Sequence, residues 1–201
     1  MLDGLRAARG VIRSLCIYYG NRQHGLALER LYRLFVGPGD LVFDIGAHVG
    51  DRVAAFRRLD ARVIAVEPQP ALAKTLRLLY GGDPKVKIEA VAVGRHVGTI
   101  ELNLNLDNPT VSTASMDLIA AAADAPGWEG QAWTKRVTVP VTTLDALIAR
   151  HGKPAFIKID VEGFENEVLF GLAQPIKALS FEFTTIQRNV ALACVERCAA
   201  L

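Results

Sequence analysis

Apolar positions along the chain follow two rhythms, a helical one and a short-strand one, and their order predicts the architecture. Leu5, Ala8, Ile12, Leu15 and Tyr19 recur at helical spacing with arginines between them. They predict an amphipathic helix packed on its own domain, with a membrane-surface helix as the alternative. Leu28, Leu31, Tyr32 and Phe35 predict a second helix, ended by Gly37-Pro38-Gly39-Asp40. Residues 1–36 therefore read as a helical extension ahead of a domain over 37–201. Short apolar runs then follow at 41–46, 62–68 and 86–94. Helical patterns separate them, over Val49 to Leu59 and around Leu72, Leu76 and Leu79. Strands that are continuously apolar and alternate with helices predict a parallel sheet buried on both faces.

The middle of the chain changes rhythm. Over 98–106, Ile100, Leu102, Leu104 and Leu106 alternate with Thr99, Glu101, Asn103 and Asn105. Strict alternation predicts a half-exposed strand, antiparallel and near an edge. Residues 107–135 are rich in Asn, Pro, Ser, Thr, Ala and Gly and read as a long functional loop. A strand is expected at 136–141 and a helix at 143–150, capped by Thr142 or Thr143. The alternation resumes with a strand at 155–160, a helix at 164–173, a strand at 178–183 and a last helix through Ala191, Cys194, Val195 and Cys198. The fold class is thus α/β, doubly wound, with a mostly parallel sheet.

Composition narrows the function. Of 201 residues, 51% are hydrophobic and 22% charged, enough for a core without a disulfide or metal staple. The formal charge of +2 and the scattered basic residues carry no nucleic-acid signature. Three cysteines without a CxxC pair argue against a disulfide framework or zinc site, and fit a reducing, cytoplasmic setting. Cys194 and Cys198 read as small core residues of one helix face. No signal peptide or membrane-spanning segment is expected.

Ligands of open parallel sheets bind at the carboxyl ends of the strands. The first strand ends in Asp44-Ile45-Gly46-Ala47-His48-Val49-Gly50. Gly46 permits a tight turn, and Gly50 a close approach of the next helix to a ligand. An acid before the first glycine would repel a pyrophosphate. It would attract a ligand carrying an ammonium and a sulfonium, as S-adenosylmethionine does. Glu67, at the end of the second strand, can accept hydrogen bonds from both ribose hydroxyls of a nucleoside.

The run Lys158-Ile159-Asp160-Val161-Glu162-Gly163-Phe164-Glu165 resembles the KIDVEGxE signature of FkbM-type methyltransferases. DIGAHVG, AVEPQP, AVAVGRHVGTIELNL and VPVTTLDAL resemble other motifs of that family, in the same order, from about residue 37 to residue 185. The resemblance implies a Rossmann-like fold of the class I methyltransferase type, S-adenosylmethionine as cofactor, and O-methylation of a hydroxyl on a small molecule such as a sugar or polyketide. It implies cofactor contacts from Asp44, Gly46, Ala47, Gly50, Glu67, Pro68, Ala92, Val93 and Asp160. It also implies that Asp160 and Glu162 lie near the transferred methyl group. Residues two apart on an extended backbone share a side, so both carboxylates could face the cleft.

A hydroxyl acceptor needs a base or a metal. Asp160, Glu162 and His48 are the candidates for catalysis, with His24 a weaker one. A magnesium ion held by Asp160 and Glu182 is the alternative, on a thin set of two ligands. Asn108 to Thr113 would suit a polar acceptor or serve as plain turn chemistry, and Trp133 could wall an acceptor or anchor a core. Methyltransferases of this fold usually add two strands beyond the fifth. Here the chain ends first, which predicts a shortened product or an apolar edge at 178–183 covered by a partner such as a second copy. The rival functions are a degenerate nucleoside-binding scaffold and a nicotinamide oxidoreductase; the absence of GxGxxG argues against the latter.

Overall fold

The computed structural model describes residues 2–201. Two helices lead, α1 (Leu2–Tyr19) and α2 (Arg22–Tyr32). The main unit then runs β1 (Leu41–Ile45), α3 (Asp51–Arg58), β2 (Arg62–Val66), α4 (Pro70–Tyr80) and β3 (Val86–Glu89). After an excursion it closes with β7 (Phe156–Ile159), α7 (Glu165–Phe170), β8 (Leu179–Phe181) and α8 (Arg188–Ala199). The excursion holds β4 (Ala92–Val93), β5 (Gly98–Leu104), α5 (Met116–Ala122), β6 (Lys135–Thr142) and α6 (Leu144–His151).

The main sheet has five strands in the order β3-β2-β1-β7-β8, with every neighbouring pair parallel. This is the Rossmann-like, doubly wound α/β fold expected. Its interior follows from composition: β1 and β7 are buried at every position because helices cover both faces. Strand order reverses between β1 and β7, which places the ligand crevice at their carboxyl ends. β8 is an edge strand, and its side chains Leu179 and Phe181 pack with Val190, Cys194 and Cys198 of α8. Cys194 is a core residue, as the spacing implies, and Cys198 is half-buried against the same cluster.

Three expectations are corrected. The run 86–94 is not one strand: β3 joins the main sheet, while β4 pairs with β6 in a separate three-stranded sheet ordered β4-β6-β5. The alternation of 98–106 holds only in its first half. Asn103 and Asn105 are both buried, because residues 107–113 fold back over them. The Asn103 amide donates to the Thr113 carbonyl at 3.3 Å, and Asn105 donates to Gln131 at 2.9 Å while accepting from the Asn108 amide at 3.0 Å. Buried amides with partners in hand cost little. The segment 107–135 contains a short 3-10 turn (Pro109–Val111) and α5, whose cap Ser115 accepts from the Leu118 amide. Thr143, not Thr142, caps α6.

α1 packs on its own domain, but by the face opposite to the expected one. Gly10 and Ser14 are its buried residues, while Leu5, Ala8, Ile12 and Tyr19 of the apolar stripe are exposed. A Cβ on Gly10 would lie 2.3 Å from the Leu106 carbonyl oxygen, so only glycine lets the helix come this close. Arg6 pairs with Asp107 at 2.5 Å and Arg13 donates to Asn108 at 2.8 Å, pinning that face inward. No helix among the described residues is long and apolar enough to cross a membrane.

Candidate active site

One pocket opens at the carboxyl ends of β1, β2 and β7. Gly46, Ala47, His48, Glu67, Pro68, Ala92, Val93, Asp160 and Glu162 all line it. Asp44 and Gly50 do not. Asp44 is fully buried and faces Lys158 at 3.2 Å, and neither of its carboxylate oxygens has a hydrogen-bond partner. Gly50 instead packs against α4, where an added Cβ would meet Tyr80 at 2.6 Å and Leu76 at 2.8 Å.

The loop between β1 and α3 is built from left-handed backbone: Gly46 has φ 76°, His48 φ 51° and Gly50 φ 86°. At Gly46 a Cβ would fall 1.8 Å from the Asp160 carbonyl oxygen. Neither backbone can yield, since the amides of Gly46 and Asp160 are themselves bonded to β2 and β1. Gly46→Ala should therefore cost more than about 3 kcal/mol, combining clash with positive-φ strain. A thermal melt lowered by only a degree or two would show that the loop can rearrange.

Glu67 is buried, and both its oxygens are held by backbone. Oε2 accepts from the His48 amide at 2.9 Å and Oε1 from the Gln69 amide at 2.9 Å. Each carboxylate oxygen keeps a second lone pair for a ligand. Burial pushes this carboxyl up to about 7. Beside it, Val91, Ala92, Val93 and Leu102 give the pocket an apolar wall. The wall comes from the split of 86–94 into β3 and β4, which sets Ala92 and Val93 at the pocket.

Lys158 joins the two sides of the site. It lies on an otherwise apolar buried strand, pairs with Asp44 and Asp160 at 3.2 Å each, and donates to the Gly46 carbonyl at 2.8 Å. Burial opposes its charge, but the two carboxylates outweigh burial and hold it above the usual lysine range. Asp44 is pushed up by burial, against the pull of Lys158.

The KIDVEGFE run supplies both chemistry and its support. Glu162 lies in a left-handed conformation, φ 55°, unusual for a side chain of its size. Two contacts hold it there: Thr113 Oγ1 donates to its carbonyl at 2.6 Å, and the buried Glu165 carboxylate accepts from the Val161 and Gly163 amides at 3.0 and 3.3 Å. Strain held in place this way is common at functional sites. Burial first, then the charges of Asp160 and Glu182, push the Glu162 carboxyl up to about 9. Asp160, Glu162 and Glu182 bring oxygens within 4.8 Å of one another, a spacing a divalent cation could bridge. Protons relieve the same crowding: the contact with Asp160 raises Glu182, while Asp160, beside Lys158, stays below the usual carboxylate range.

His48 packs its ring edge-on to Tyr18 of α1, with centroids 5.2 Å apart, and its Nε2 is buried without a hydrogen-bond partner. Burial pushes the imidazole down to about 4, so it is neutral at pH 7 and a weak base. His24 turns to Asp51 at 3.4 Å, outside the pocket lining. Of the 108–113 stretch, Thr110 and Ser112 line the pocket, and Ser112 Oγ accepts from the Asn105 amide at 3.1 Å. Trp133 stacks on Trp128 at 6.4 Å and donates to the Val111 carbonyl at 2.8 Å. Trp128 lines a second cavity, with Phe183, Thr184 and Thr185, that meets the first at Glu162.

Sequence reasoning missed Tyr18, Arg52 and Gln69, which line the pocket only through folding. Lys158 stood within the motif without a role. A lysine in a run that is otherwise apolar was the available signal, because a buried ammonium must be paired.

A parallel sheet with its pocket at the β1–β7 switch point, an acid at the end of β2 and a carboxylate-rich loop after β7 define a methyltransferase type of site. The family model described as the methyltransferase FkbM domain matches residues 44–197. The chain belongs to the FkbM methyltransferase domain family and is a methyltransferase. Among the curated proteins, none matches the chain.

Proposed function

We propose that the chain transfers a methyl group from S-adenosylmethionine to a hydroxyl of a small-molecule acceptor. Glu67 carries this reading: its carboxylate is fixed by two backbone amides, keeps free lone pairs toward the pocket and adjoins an apolar wall. That pairing suits a ribose and its adenine. Gly46 and Ala47 allow backbone to approach the ligand, and Pro68, Ala92 and Val93 would enclose the base. The Nε2 of His48, Oδ1 of Asp51 and Nε of Arg52 are buried polar atoms of lining residues without a partner that a ligand could satisfy, and Asp160 offers charge to an amino group. The bound cofactor would supply a methyl group already activated on a sulfonium, so positioning provides much of the rate.

On the acceptor side, His48, pushed down to about 4, is a weak base, and Glu162, pushed up to about 9, would be a strong one once ionised. It faces both cavities, so an acceptor seated beside Trp128 and Thr184 would place its hydroxyl at this carboxyl. Beside a bound cation the Glu162 carboxyl ionises more readily and can then take the hydroxyl proton. Asp160 and Lys158 hold the strand end in place.

Calorimetric titration with S-adenosylhomocysteine tests the cofactor reading. Binding should be abolished or weakened at least about a hundredfold in Glu67→Ala, as expected when a site's paired polar group is removed. A folded protein that binds none of it at neutral pH ends the proposal. The same titration has a pH signature. Hydroxyls donate more strongly to the ionised carboxylate, so affinity should rise with pH through about 7 and level off above it. Below that point it should fall up to about tenfold per pH unit. A flat profile between pH 6 and 8 would mean that Glu67 does not titrate against the ligand.

A further inference from the structure

We propose that the outward face of α1 docks the protein on anionic lipid bilayers. The helix is 18 residues long and turns small, polar-lined surface inward, at Gly10 and Ser14. Ala7 and Val11 accompany them on the domain side, while Leu2, Leu5, Ile12 and Ile17 are each more than half exposed. Such a face, on a helix whose opposite side is already committed, is the reverse of ordinary amphipathic packing. Gly10 against Leu106 and Arg6 against Asp107 make the inward side specific, so the outward side is a settled feature of the fold.

Charge selects the occupant. Arg9 is exposed on the flank of the apolar stripe, and Arg13, one turn on, is exposed while it holds the Asn108 side chain at 2.8 Å. The only acid on the helix, Asp3, sits at its N-terminal end, opposite Lys135 at 3.8 Å. Residues 1–36 hold six arginines (Arg6, Arg9, Arg13, Arg22, Arg30 and Arg33) against two acids, Asp3 and Glu29. An apolar stripe with basic flanks and modest overall hydrophobicity is what binds in the plane of a bilayer interface. A phosphate-bearing surface satisfies stripe and arginines together. A second copy packed antiparallel on the stripe would set like flanks side by side and leave the arginines unmatched. Tyr18 of the same helix lines the active-site pocket, so docking would hold that pocket beside the bilayer.

The test is co-sedimentation of the full chain with phosphatidylcholine vesicles, with and without phosphatidylglycerol. Binding should need the anionic lipid and fall as salt is raised. Ile12→Asp should abolish it, and Arg9→Ser should weaken it roughly fivefold, the effect of one cation near such a surface. Both positions are exposed and outside the active site, so fold and cofactor binding should be unchanged in each variant. Failure to bind anionic vesicles at low salt, or binding that Ile12→Asp leaves intact, overturns the proposal. So does a lipid-free dimer that Ile12→Asp dissociates, which would assign the face to a second copy.

Discussion

Lys158→Met is expected to cost about 3–5 kcal/mol of stability, because it strips a buried pair of carboxylates of their cation. Asp44 has no exposed surface, and Lys158 is the only ion-pair partner it has among the described residues. Asp160, just past the end of β7, loses the same partner. For a chain of this length the loss corresponds to a fall of roughly 6–20 °C in Tm. The pH dependence has a definite sign. Without the ammonium, Asp44 in the fold binds its proton more tightly than an unfolded aspartate does. A folded-state carboxyl raised in this way favours folding as pH falls, so the deficit should shrink between pH 7 and about 5. Asp44→Asn in the Lys158→Met background should recover part of the loss, since a neutral amide needs no counter-charge. Thermal melts of the three variants across pH make the measurement. A Lys158→Met protein that melts within two or three degrees of the parent would mean that Asp44 is already neutral in the native state.

Glu162→Gln should lower kcat by about a hundredfold to ten-thousandfold while leaving S-adenosylhomocysteine affinity nearly unchanged, the range seen when a positioned general base is removed. Glutamine preserves size and hydrogen bonding but cannot take a proton. The backbone geometry should survive, because Thr113 grips the Glu162 carbonyl and Glu165 grips the flanking amides, none of them through the substituted carboxyl. Release of S-adenosylhomocysteine in the presence of hydroxyl acceptors provides the readout. If instead KM for the cofactor rises and kcat persists, Glu162 orients the cofactor and proton removal belongs elsewhere, to water or Asp160. If turnover also depends on added magnesium, the three clustered carboxylates act through an ion and not through Glu162 alone.

Much of the sheet was legible because its signals are local. Continuous apolar runs such as 41–45 and 156–159 read as buried parallel strands once helices separate them. The site was legible where a local constraint leaves a residue trace. Gly46 stands where no Cβ fits, and Glu67 stands at a strand end. The readings that failed are those in which one segment covers another. The 98–106 strand showed a polar face, but the return of 107–113 buries Asn103 and Asn105, and no periodicity in either segment records their meeting. The apolar stripe of α1 was read as its inward face. The decisive contacts, Gly10 on Leu106 and Arg6 on Asp107, lie about a hundred residues away in the chain.

The sequence by itself determined the alternation of elements, the crossing point where a ligand must bind, and the family, since each rests on patterns a few residues long or on motifs in fixed order. Only the tertiary structure decided that Asp44 is buried against Lys158, that Lys158 clamps two strands, that Glu162 is the strained carboxyl, and that α1 leaves much of its apolar stripe exposed. Those outcomes depend on burial and on charges brought together from distant segments. Desolvation and Coulomb interactions act through space, and nothing in the neighbouring residues of a chain encodes them separately.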